Sequence, residues 1–95
     1  MSYVRVVRFT DVDSDRLDQL LARIDESDGP PEGITSTGIQ ILQDKDQGTA
    51  VVLQMFDSAE DMASSEAAFD AMDSSETPGT RASVDRTELK KEMKV

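Results

Sequence analysis

Ninety-five residues with twenty acids, ten bases and a formal net charge of −10 amount to one domain of chain whose field repels nucleic-acid phosphates and anionic membrane surfaces. His, Cys, Trp and Asn are all absent, which removes the commonest near-neutral acid/base group, thiolate nucleophiles, zinc–thiolate sites and disulfides. The 37% hydrophobic content is gathered in periodic segments, which argues for a folded chain despite 32% charged residues.

Residues 3 to 10, Tyr-Val-Arg-Val-Val-Arg-Phe-Thr, are β-branched or aromatic with no breaker and predict a first strand. Leu17, Leu20, Leu21 and Ile24 then recur at i, i+3, i+4 and i+7, the spacing of one helix face, and predict a helix from about Ser14 to Ser27. With Asp13 as N-cap, Val12 and Leu17 take the positions of a hydrophobic staple, and Gly29, Pro30 and Pro31 stop the helix. Thr37 to Gln43 and Thr49 to Phe56 predict a second and third strand, joined through Asp44-Lys45-Asp46-Gln47-Gly48 as a hairpin. Asp57 and Ser58 before Glu60 and Asp61 form a capping-box pattern, and Ala59, Met62, Ala63, Phe69 and Met72 mark the apolar stripe of a second helix, which ends before Ser74-Ser75-Glu76-Thr77-Pro78-Gly79. Arg81 to about Leu89 is a fourth strand whose alternation is broken by charges, and Lys90 to Val95 is a frayed tail or arm.

The order β-α-β-β-α-β over residues 1–95 predicts a single α+β domain of the ferredoxin-like, split βαβ kind, with both helices on one face of a four-stranded antiparallel sheet. On the first strand Val4 and Val6 face away from Tyr3, Val7 and Phe9. On the third, Val51, Leu53 and Met55 face away from Ala50, Val52 and Phe56. Two apolar faces predict that the side without helices is covered by a second copy, hence a homodimer. No apolar run nears the ~20 residues that span a bilayer, and no basic-then-apolar leader pattern opens the chain, so a cytoplasmic location with no membrane partner is expected. The acids are mostly Asp and only four Lys occur, a bias that suits a high-salt cytoplasm as well as a plain solvated surface.

In element order and in short patterns the chain resembles the dimeric α/β-barrel superfamily, and within it small bacterial domains similar to antibiotic biosynthesis monooxygenases. The likeness is carried by Tyr3-Val-Arg-Val-Val-Arg-Phe, by Gly29-Pro-Pro-Glu-Gly33, and by Phe56-Asp-Ser-Ala-Glu-Asp-Met62 leading through Ala71-Met72. The resemblance implies two sheets associating face to face and an apolar pocket between sheet and helices in each subunit. Some relatives oxidise polyketide-like aromatic substrates without a cofactor, and others degrade haem with a helix His, an Asn and a Trp. None of those three residue types is present here, so haem degradation is not expected and no cofactor is implied. The cofactor-free chemistry would have to run with Tyr3 and the arginines.

Three residues are candidates for a site. Arg5 shares its strand parity with Tyr3, Val7 and Phe9, so a cation sits among apolar neighbours. It could anchor a ligand carboxylate, enolate or phenolate, but the rule that buried charges are paired favours an ion pair or hydrogen bond, with Gln54, Asp85 and Glu88 as available partners. Arg8, on the opposite parity near the strand end, is expected in solvent. Glu66 lies between Met62 and Phe69 on the second helix, where apolar surroundings would raise its pKa and suit it to a general base; the plainer reading is a stripe-edge carboxylate reaching water. Tyr3 could hydrogen-bond a substrate oxygen or simply pack.

Asp11-x-Asp13-x-Asp15 imitates the start of a calcium loop, but Arg16 and Ala22 stand where that loop needs Gly and a bidentate Glu, so capping of the first helix explains the acids better and no metal is implied. Met55, Met62 and Met72 read as core filler that could also line a pocket.

Two functions follow. The first is a dimeric α/β-barrel protein that binds a small apolar or aromatic molecule without catalysis. The alternative is a cofactor-independent monooxygenase or isomerase for a phenolic or enolisable substrate, with Glu66 as base and Arg5 or Tyr3 stabilising the oxyanion. They part on whether Glu66, Arg5 and Tyr3 converge on one cavity. An RNA-binding sheet of the same topology would need a basic face, which the charge opposes.

Overall fold

The segment rich in β-branched and aromatic residues at 3–10, which holds no Gly or Pro, forms an eight-residue strand inside the sheet. In the computed structural model, which describes residues 2–27, 33–71 and 77–94, it is β1 (Tyr3–Thr10). It is followed by α1 (Ser14–Glu26), β2 (Gly38–Asp44), β3 (Thr49–Phe56), α2 (Ala59–Asp70) and β4 (Thr80–Glu88). The strands make one antiparallel sheet of order β2-β3-β1-β4. Because β3 lies between β1 and β2, and β1 between β3 and β4, each helix carries the chain over one intervening strand. That is the split βαβ of an α+β, ferredoxin-like fold.

The predicted bounds of β1 and β3 coincide with the strands formed, and those of α1, β2 and β4 differ by a single residue. Local chemistry explains the helix starts. Asp13 Oδ1 accepts from the amides of Asp15 at 2.8 Å and Arg16 at 3.3 Å, and Ser58 Oγ accepts from the amide of Asp61 at 3.1 Å, so each cap satisfies amides that have no partner inside the helix. With Asp13 as cap, Val12 and Leu17 fall at the staple positions and both are withdrawn from solvent. α1 ends at Glu26 with Ser27 extended as its C-cap; the stop expected from Gly29, Pro30 and Pro31 lies outside the described residues, as do Met72 and the turn residues Ser74, Ser75 and Glu76. Residues 90–94 form no regular structure and are exposed, although the Leu89 amide still donates to the Ser2 carbonyl at 2.8 Å.

The hairpin between β2 and β3 is held by Asp44, whose Oδ1 accepts from the amides of Asp46 and Gln47 while Gly48 takes a φ of +67°. Gly48 also accepts the Val12 amide at 3.0 Å, and Pro78 accepts the Asp13 amide at 3.0 Å. The corner between β1 and α1 is thus gripped from two sides, and Asp11 within it holds the left-handed φ of 52°. Gly79 presses against this corner so closely that a Cβ there would lie 2.5 Å from the Thr10 carbonyl oxygen.

α2 packs firmly on the sheet. Ile34, Phe56, Met62 and Phe69 form a buried cluster against which Tyr3 and Ala68 pack. The buried stripe of α2 is Met62, Ser65 and Phe69, whereas Ala59 and Ala63, expected in it, are exposed. One step along a helix turns a side chain by about 100°, so a stripe running through 62, 65 and 69 carries residue 63 out to its flank. Ser65 is accommodated because its hydroxyl accepts from the Thr35 amide at 3.1 Å and donates to the Asp61 carbonyl at 3.0 Å.

α1 is seated differently: Leu17 is buried, Leu20 and Ile24 are only half-buried, and Leu21 is 39% exposed. On the sheet's other face Val4, Val6, Val51, Leu53 and Met55 are half-buried and Leu42 is 52% exposed, a continuous apolar surface. Met55 belongs to this face and Met62 to the core. No described helix is long and apolar enough to cross a membrane.

Candidate functional site

Because α1 stands away from the sheet beyond Leu17, the two leave a half-open cleft with a cavity of about 590 Å³. Its floor is the helix-side face of the sheet: Val7 and Phe9 of β1, Ile39 and Ile41 of β2, and Val52 of β3. Leu20 and Ile24 of α1 form the roof, and Phe69 of α2 one wall. Alternation explains this. The odd positions of β1 pair with the even positions of β3, which pair in turn with the odd positions of β2, so one face of the ladder supplies the whole apolar floor.

Arg5 breaks that floor. It is 5% exposed, its Nε donates to Glu66 Oε1 at 3.2 Å, and its guanidinium carbon lies 3.9 Å from the centre of the Phe69 ring. Directly across the ladder stands Arg86, a like charge that would destabilise the pair. Glu66 bridges the two guanidinium groups, since Arg86 donates from Nε to Oε1 and from Nη2 to Oε2, both at 2.9 Å. The expectation of a paired Arg5 therefore holds, with a correction of partner. Asp85 sits opposite Val6 on the other face of the sheet, Glu88 pairs with Lys90, and the acid comes instead from α2. Arg8 is exposed, as its place near the strand end predicts.

The electrostatics of Glu66 run against a base. The Arg86 hydrogen bonds, and after them Arg5, hold its carboxyl below the usual range and outweigh the burial that acts the other way. Burial lowers the Arg5 pKa and Glu66 opposes the shift, which leaves a charged guanidinium at neutral pH. Tyr3 packs on the Ile34, Phe56, Met62 and Phe69 cluster and is not among the residues lining the cleft. Of the three candidate residues, then, Arg5 lines the cavity, Glu66 stands behind it, and Tyr3 lies apart.

Two further cationic residues of the cleft escape the sequence pattern. Arg16, in the first turn of α1, donates to Thr77 Oγ1 at 3.4 Å, and Arg81 is the second residue of β4. Asp70 is the carboxylate among the lining residues. Among the described residues no group of three or more acids is placed to hold a metal ion, and Asp13 of the calcium-loop imitation is the helix cap.

Fold and site together define a ferredoxin-like α+β domain with an apolar cleft that has arginines in its lining. No protein-family model, no curated protein and no solved structure matches the chain.

Proposed function

We propose that the domain binds a small apolar or aromatic molecule in the cleft between α1 and the sheet, without transforming it. The observation that carries this reading is the cavity of about 590 Å³ walled by apolar side chains of five elements. Its size falls within the range of small-molecule sites, which are typically about 300–1,000 Å³ and mostly apolar with a few polar groups. Oxygenation or isomerisation is the weaker reading, because the carboxylate that would serve as base is already hydrogen-bonded to two guanidinium groups and Tyr3 packs elsewhere.

The same reading makes the protein a homodimer built like the dimeric α/β barrels, the open sheet faces packing together. The apolar surface of Val4, Val6, Leu42, Val51, Leu53 and Met55 supports it, since an antiparallel sheet facing water ordinarily alternates with polar residues. Sedimentation at micromolar concentration tests the assembly: a dimer is expected for the parent chain and a monomer for Leu53→Glu.

For binding, a neutral naphthalene ketone dye whose emission reports an apolar environment is the probe, read without interference because the chain has no Trp. Saturable binding of one dye per chain is expected. Its loss is expected in Val52→Phe, which fills the floor, provided the circular dichroism spectrum is unchanged. Failure to saturate, or undiminished binding to a folded Val52→Phe protein, would overturn the reading.

A further inference from the structure

We propose that the ligand is an amphipathic carboxylate whose apolar body lies in the cleft and whose anionic head pairs with Arg81; this rests on the binding reading above. The chain carries ten net negative charges, yet among the described residues the cleft is lined by three arginines and one acid. Around Arg5 the charges are matched, with Arg5 and Arg86 sharing Glu66 and Asp70 favouring the charged form of Arg86. Arg81 is different. It makes no ion pair and no side-chain hydrogen bond with any described residue, and it opposes the like charge of Arg5.

The backbone places Arg81 in this position by an irregularity. From Tyr3 to Arg8 the β1–β4 ladder keeps one register, which continued would set Ala82 opposite Phe9 and Arg81 opposite Thr10. Arg81 would then face the open side of the sheet. Instead the register shifts between Arg8 and Phe9, Ala82 is passed over, and Arg81 stands opposite Phe9 on the cleft side. Bulges of this kind re-aim single side chains and recur beside sites. Here the re-aimed side chain is a cation delivered to an apolar cavity.

The chemistry of the guanidinium group chooses the ligand class. It presents a planar fork that meets two oxygens at once, so a carboxylate fits better than a single phenolate oxygen. One exposed cation with no partner among the described residues, beside apolar walls, matches a monoanion with a hydrocarbon or aromatic body.

The test compares 2-naphthoate with the neutral 2-naphthamide of the same shape, by calorimetry at pH 7 and low salt. Naphthoate is expected to bind about tenfold more tightly than the amide, the scale of one charge-assisted hydrogen-bonded contact. Arg81→Gln should abolish that preference while leaving amide binding unchanged, and Arg81→Lys should retain part of it. Lys45→Gln, which removes one positive charge at the exposed β2–β3 turn, should leave the preference intact. Equal binding of the two compounds to the parent chain, or a preference that survives Arg81→Gln, overturns the carboxylate assignment and leaves the cleft reading standing. If neither compound binds, both fall.

Discussion

Glu66→Gln removes one charge at constant shape and so isolates what the bridging carboxylate does. Arg5 is 5% exposed, and its charge is balanced by Glu66 at 3.2 Å and by the face of Phe69 at 3.9 Å. Removing one member of a buried pair costs about 3–5 kcal/mol, because the other charge stays buried and uncompensated. Two features place the substitution below that range: the Glu66 side chain keeps 18% of its exposure, and a Gln carbonyl still accepts one N–H. The expected loss is about 2–3 kcal/mol, which in a domain of this size lowers Tm by roughly 10–20 °C. Urea unfolding followed by far-ultraviolet circular dichroism measures it. Arg86→Gln, whose side chain is 53% exposed, should lower Tm far less. Replacing both buried partners, Arg5→Met with Glu66→Leu, should recover most of the loss, since a packed apolar pair has no charge to desolvate. A Glu66→Gln protein as stable as its parent, or a double variant less stable than Glu66→Gln alone, would refute the view that Arg5 depends on this carboxylate.

The same carboxylate predicts a pH dependence. Its folded pKa lies below the ordinary 4.5, so the stability it contributes is complete above that value and is lost as pH falls through the lower folded one. The gap in Tm between the parent and Glu66→Gln should therefore be widest near neutrality and shrink below about pH 4.5; a gap that widens on acidification would contradict the shift. Ser65→Ala improves helix propensity but leaves the Thr35 amide without its acceptor, so a net loss of about 1 kcal/mol or more is expected in chemical denaturation. A neutral result would mean that the hydroxyl merely fills space. Gly79→Ala sets a methyl group against the Thr10 carbonyl oxygen and should cost about 1–3 kcal/mol in thermal melts, the range for forced overpacking.

How far the sequence could be read depended on which interactions are local. β1 and β3 are segments rich in β-branched and apolar residues with no Gly or Pro to break them, and their limits follow from composition. The caps Asp13 and Ser58 act within three residues of themselves, so they too were legible. Arg5 stood out by parity alone, but its partner comes from a helix 61 positions away that crosses the sheet, and strand neighbours were the natural suspects. The charges of β4 follow from its place at the sheet edge, where most of its residues remain exposed. Arg81 was missed because its facing depends on a register shift, and a one-residue irregularity leaves no periodic trace in a strand already broken by charges. The cleft itself arises from how far α1 stands off, a property of packing between elements and not of α1's own pattern.

The ladder between β1 and β4 joins parts of the chain that are far apart in order of synthesis. Even its closest pair in sequence is Thr10 with Thr80, and it extends to Tyr3 with Glu88 and on to Ser2 with Leu89. Contacts of such long range are entropically costly to close, so the closing of this ladder is expected to be slower than helix formation or the β2–β3 hairpin. Until it happens, the Val-rich strand β1 presents a bare edge able to recruit a strand from another chain. Residues 80–88 therefore also act as an intramolecular guard: a chain truncated before them is expected to aggregate, because the strand most able to seed a foreign sheet would be left open.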